Sequence, residues 1–238
     1  MHKLALVALI GLTASAAFIA ADAAIGGKDF DFADGMDLDY PHCETVPGAT
    51  ATSRDLDWDG SDHVGLSVGG HASYTPGTDN KVHVSGDPQL LAHLRVRNGN
   101  IEFDCRGWHQ DTGNLAIILP GQEFQKFGIA GHGNLSLQKL DQMMLKVSIA
   151  GSGSVKADGK VEHADIHIAG SGDIDMGQVA TKVTMVHIAG SGTTDIAPSD
   201  EADIHIAGSG DVNLHTSPRQ LETHISGSGR IHNVAAGG

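Results

Sequence analysis

The chain has 238 residues, 32 of them Gly, with 15 Lys+Arg against 29 Asp+Glu and 4% aromatic residues. That length suffices for a buried core without clustered metals or disulfides, and the formal net charge of −14 disfavours nucleic acid and anionic membrane surfaces as partners. The carboxylates are 23 Asp and 6 Glu, and because Asp favours turns and Glu favours helices, a helical bundle is disfavoured.

Residues 1–23 read as a secretory signal peptide, with Lys3, an apolar run from Leu4 to Ile19 and a small-x-small cleavage site at Ala21-Asp22-Ala23. The run is Ala-rich and shorter than the ~20 residues of a spanning helix, and no later stretch could cross a bilayer. The mature protein is therefore expected in the periplasm or outside the cell. Residues 24–53 form an acidic arm, with five Asp between Asp29 and Asp39, read as solvated. Cys43 and Cys105 are the two cysteines, an even count that in an oxidising compartment predicts one disulfide.

Residues 54–127 hold the aromatic content of the mature body, including Trp58, Tyr74, Phe103, Trp108, Phe124 and Phe127. Alternation predicts strands at Lys81-Val-His-Val-Ser85 and Leu94-Arg-Val-Arg-Asn98, with turns at Pro76-Gly77 and Asn98-Gly99. This part is expected to begin and cap the fold of residues 128–234.

Residues 128–234 repeat. Ile129-Ala-Gly-His-Gly133 is followed by Ile149-Ala-Gly-Ser-Gly153, Ile168-Ala-Gly-Ser-Gly172, Ile188-Ala-Gly-Ser-Gly192, Ile206-Ala-Gly-Ser-Gly210 and Ile225-Ser-Gly-Ser-Gly229. Period-two alternation on both sides of each Gly-x-Gly predicts strand, tight corner, strand, with Ile166, Ile168, Ile204 and Ile206 facing inward. A unit of ~19 residues cannot bury its own apolar face and must stack on its neighbours. The result is an all-β fold, a parallel β-helix or solenoid of about six turns, each ~4.8 Å above the last.

These residues resemble a known family. The repeated I-A-G-S-G units, with Val82-His-Val-Ser-Gly-Asp87, Leu90-Leu91 and Val96-Arg-Asn-Gly-Asn-Ile101, are similar to the GIN domain, the head domain of auto-transporter adhesins, over residues 54–234. The resemblance implies a right-handed β-helix in an exported bacterial protein and an adhesive role. It implies no catalytic residues.

His167, His187, His205 and His224 stand at the same place in successive units and should stack on one outward face, where neighbouring imidazoles could share Zn²⁺ or Cu²⁺ or respond to acid. No Cys or carboxylate recurs at the same rung of every unit to complete a tetrahedral site. Asp173, Asp175, Asp195 and Asp211 form an acidic face after the corner, a carboxylate set that could serve glycoside hydrolysis or weak Ca²⁺ binding. The expectation is that no basic or aromatic residue accompanies them. The corner serines Ser152, Ser171, Ser191, Ser209 and Ser228 have no His and acid in triad order, and the Gly-x-Gly corners lack the Lys and helix of a phosphate loop.

The sequence thus points to an exported, non-enzymatic β-solenoid that binds a polysaccharide or an envelope or surface protein, with no cofactor. A β-helix carbohydrate-active enzyme and a metal-binding histidine-ladder protein are the alternatives. Few residues follow Ile231, so the C-terminal turn is expected to leave an open end suited to a second copy or a partner.

Overall fold

The structure is a computed structural model and describes residues 41–106 and 114–234. The predicted signal peptide, the acidic stretch Asp29–Asp39, Trp108 and the last four residues lie outside the described residues.

Among the described residues, sixteen strands form a single sheet wound on itself, with one short helix between them. The signature units form the coils β8 (Lys126–Gly131), β9 (Asn134–Gly151), β10 (Ser154–Gly170), β11 (Asp173–Gly190), β12 (Thr193–Ile196), β13 (Pro198–Gly208), β14 (Asp211–Leu214), β15 (Gln220–Gly227) and β16 (Arg230–Asn233). Every pairing among them is parallel and repeats the register of the sequence, Ile168 on Ile188, Ala169 on Ala189, Gly170 on Gly190. This is the β-solenoid that the alternation predicts.

The corners explain the glycines. At Gly151, Gly190, Gly208 and Gly227 φ lies between +132° and +137°, and at Gly170 it is +127°. A Cβ there would run into the carbonyl of the equivalent glycine one coil below. The close approach also makes the corner cohesive: Ser171 N–H donates to Gly151 O at 2.8 Å, and Asp173 N–H to Gly153 O at 3.1 Å. The serines supply this donor from their main-chain N–H, while Ser171, Ser191, Ser209 and Ser228 remain exposed. Within the coils Ile166, Ile168, Ile204 and Ile206 are buried, as are Val155, Ile174, Met176, Ile196, Val212 and Leu214. Each buried aliphatic side chain contributes about 2 kcal/mol of transfer free energy.

Beneath the signature coils lies one that the motif does not reveal. β2 (His63–Leu66) and β3 (His71–Tyr74) pair in parallel with β8 and β9, Leu66 on Ile129 and His71 on Asn134, so Ser67 to Gly70 make its corner. Below it, β6 (Asn100–Phe103) pairs with β2 and β7 (Ala116–Ile118) with β3, again in parallel. The stack then changes direction: β1 (Ser53–Asp57), β4 (Lys81–Ser85) and β5 (Leu94–Arg97) all join antiparallel.

The turn Asn98-Gly99, with φ of 47° and 71°, links β5 and β6 as the sequence predicts. The helix α1 (Pro88–His93) is capped by Asp87, which accepts from Gln89 N–H at 2.8 Å, and buries Leu90 and Leu91. Trp58, Tyr74, Phe124 and Phe127 pack ring to ring at 5.0–5.9 Å at this lower end. Cys43 and Cys105 are joined, with Cα atoms 4.9 Å apart.

At the opposite end no described residue forms a further coil over β15 (Gln220–Gly227) and β16 (Arg230–Asn233). Every residue of β15 is exposed, and Leu221, Ile225 and Val234 are apolar side chains among the exposed ones.

Candidate functional site

The residue before the last inward Ile of each coil faces out, and parallel register turns that position into a column. From bottom to top it runs Gly128, Ser148, His167, His187, His205, His224. The four imidazoles stack: His167 on His187 at 5.0 Å and 6°, His187 on His205 at 5.0 Å and 19°, His205 on His224 at 4.7 Å and 7°. Outward does not mean exposed for all of them. His167 is 5% exposed, because the ring above covers it, whereas the His224 side chain in the open last coil is 58% exposed.

A second column lies two residues earlier on the same face: Lys126, Lys146, Asp165, Met185, Asp203, Glu222. It places a carboxylate beside three of the four imidazoles. Asp165 Oδ1 is 2.8 Å from His167 Nε2, Asp203 Oδ1 is 3.0 Å from His205 Nε2, and Glu222 Oε1 is 3.9 Å from His224 Nε2. The carboxylate is thus missing from one rung of the four, where Met185 stands beside His187, so that, as expected, none recurs in every unit, although the other three imidazoles each have one beside them.

Electrostatics follow from these neighbours. Burial, with His167 and His205 on either side, holds the His187 imidazole below its usual 6.5, against the opposing pull of Asp165 and Asp203. Burial works to raise the Asp165 carboxyl, but His167, Lys146 and His187 together hold it below its usual value. Beside the imidazoles run Ala189, Ala207 and Ser226, and together with His187, His205 and His224 they line an open groove of about 480 Å³ at the upper end.

The acidic face is a separate place, on the strands that follow the corner. Its four carboxylates fall into two columns, Asp173–Thr193–Asp211–Arg230 and Lys156–Asp175–Asp195–Asn213–His232. Basic residues do accompany them, contrary to expectation, each reaching across from a neighbouring coil. Lys156 Nζ donates to Asp175 Oδ2 at 2.7 Å, His215 Nε2 lies 2.7 Å from Asp195 Oδ1, and Arg230 donates to both Asp211 oxygens. Asp173 accepts from Thr193 N–H at 3.2 Å. Hydrogen bonds from Lys156 and Arg230 hold Asp175 and Asp211 below the usual carboxylate value. A glycosidase acid needs the opposite shift, so these two carboxylates are built as ion-pair partners.

The family profile described as "Putative auto-transporter adhesin, head GIN domain" matches residues 62–218. The chain belongs to the GIN domain family. Several solved structures resemble this GIN domain, among them the following two. A "putative adhesin" of Bacteroides fragilis NCTC 9343 superposes with a TM-score of 0.61 at 19% identity, covering 76% of this chain and 96% of that one. A "putative lipid binding protein" of Parabacteroides distasonis ATCC 8503 gives a TM-score of 0.51 at 20% identity, again covering 76% and 96%. At such identities the likeness is one of fold. No curated protein matches the sequence.

Proposed function

We propose that this GIN domain is an exported, non-enzymatic binding protein of the adhesin type, and that its histidine face is the surface that meets polysaccharide. The observation that carries this reading is register. One imidazole per coil, over four coils at 4.7–5.0 Å, offers a rigid row of identical hydrogen-bonding groups, and a polymer with a short chemical repeat can engage such a row many times over. The family supports a binding role. The net charge of −14 favours a neutral polymer over an anionic one.

Three features support export to the periplasm or beyond: the leader-like residues 1–23, a disulfide of the kind that persists in oxidising compartments, and, among the described residues, no helix long and apolar enough to cross a membrane. The open coil at β15 and β16 is the surface for a second copy. Its strand edges and exposed Leu221 and Ile225 meet their own equivalents about a two-fold axis, an antiparallel pairing that satisfies both edges at once. Light scattering over a hundredfold range of concentration tests this contact: dimer lost in Ile225→Lys supports it, and a constant monomer mass refutes it.

The binding role is tested by coating beads with mature protein and measuring capture of cells or of insoluble neutral polysaccharide. Ala207→Arg fills the groove from an exposed position and leaves the coil intact. Capture that drops at least tenfold in this variant supports the reading, and capture that is absent or indifferent to it overturns it.

A further inference from the structure

The geometry points to a site for one divalent late transition cation of the Zn²⁺ or Cu²⁺ kind at the upper end of the ladder, held by Asp203 and by one imidazole nitrogen each from His205 and His224. This goes beyond polysaccharide binding and does not depend on it.

The three donor atoms lie within 4.8 Å of one another. Two imidazoles and one carboxylate, with further positions left to water or a ligand, form a donor set that suits these borderline cations. Bonds of about 2.0–2.1 Å would draw the donors to roughly 3.3 Å apart, so the rings must tilt toward each other. They have room to do so, since the His205 and His224 side chains are 41% and 58% exposed and border the open groove.

Asp203 Oδ1 is a second, independent pointer. It is buried and makes no directed hydrogen bond, even though His205 Nε2 is only 3.0 Å away. A buried oxygen without a directed donor is under-satisfied, and a cation shared with the imidazoles would supply what is missing. Glu222, 3.9 Å from His224, adds a further negative charge beside the site.

The lower ladder offers similar residue types but no such freedom. His167 is enclosed at 5% exposure, with His187 stacked on it at 5.0 Å, and His187 is flanked by Met185 in place of a carboxylate. One cation per chain is therefore the expected stoichiometry.

The test is calorimetric titration of metal-free mature protein with ZnCl₂, alongside thermal melts with ZnCl₂ or MgCl₂. One equivalent should bind and Tm should rise with Zn²⁺ but not with Mg²⁺, as mass action requires of a ligand of the native state. Asp203→Asn and His224→Gln should each weaken binding at least tenfold, with His71→Gln, on β3 and off the ladder, unchanged. His224 lies in the exposed last coil, so its variant remains informative if circular dichroism shows that Asp203→Asn does not fold. Absence of Zn²⁺ binding overturns the site, as does binding indifferent to the folded variants. An equal response to Mg²⁺ would mean general screening of the acidic chain and would overturn it too.

Discussion

The imidazole of His187 lies parallel to that of His167, 6° from coplanar with 5.0 Å between centroids, although the two residues are one full coil apart in sequence. Between the rings of His167 and His205, His187 takes up a proton less readily than a free imidazole, so acid should loosen the ladder at this rung.

The His187 imidazole is held below 6.5 by burial and by His167 and His205, with Asp165 and Asp203 opposing. The unfolded chain then takes up a proton where the folded chain resists it, so this contribution to stability is complete above about pH 6.5 and is lost as pH falls toward the folded value. His83 goes the other way. Hydrogen bonds to Asp79 and Asp55 raise it, so its contribution is complete below about pH 6.5 and lost as pH rises through the folded value. An NMR titration in metal-free buffer should find His187 titrating below 6.5 and His83 above it. The reverse order would contradict the assigned neighbours.

The corner glycines should be far more sensitive than the corner serines. Gly190 has φ of +136°, and a methyl group there would meet the Gly170 carbonyl. Gly190→Ala should cost about 3 kcal/mol in urea unfolding, whereas Ser191→Ala, at an exposed side chain, should stay within about 0.5 kcal/mol. Equal effects would mean that the corners do not stack as described.

The disulfide closes a loop with a sequence separation of 62 residues, for which chain-entropy reasoning gives about 4 kcal/mol. Cys43→Ser, or reduction, should lower the unfolding midpoint accordingly and leave the ladder stacked. A change in the His167 and His187 resonances on reduction would mean that the lower end is coupled to the site.

Much of this was legible in the sequence, for physical reasons. Gly-x-Gly at a fixed offset after an inward Ile can only be repeated when coils stack, and the column from His167 to His224 follows from that alone. The coil through Val68-Gly69-Gly70 was hidden because Leu66 and Val68 stand where later units have Ile and Gly, and because β4, α1, β5, β6 and β7 intervene before the stack resumes at Lys126. The carboxylate column was hidden by Met185, which breaks it as a repeat although Asp165 and Asp203 precede their histidines by two residues. The cations of the acidic face were also within reach: Lys156 precedes Asp175 by 19 residues, Arg230 follows Asp211 by 19, and His215 follows Asp195 by 20, close to the repeat length. Side-chain reach across coils settles those pairs, and alternation within one strand does not report it.

The most direct measurement of the central claim is gel filtration of a panel of neutral and anionic polysaccharides before and after incubation with mature protein. A neutral polysaccharide eluting at larger size, with protein bound and its chain length unchanged once the protein is removed, is the predicted result. Elution at smaller size would mean cleavage and would contradict a non-enzymatic binding protein. A panel on which no polymer moves would contradict polysaccharide as the ligand of the histidine face.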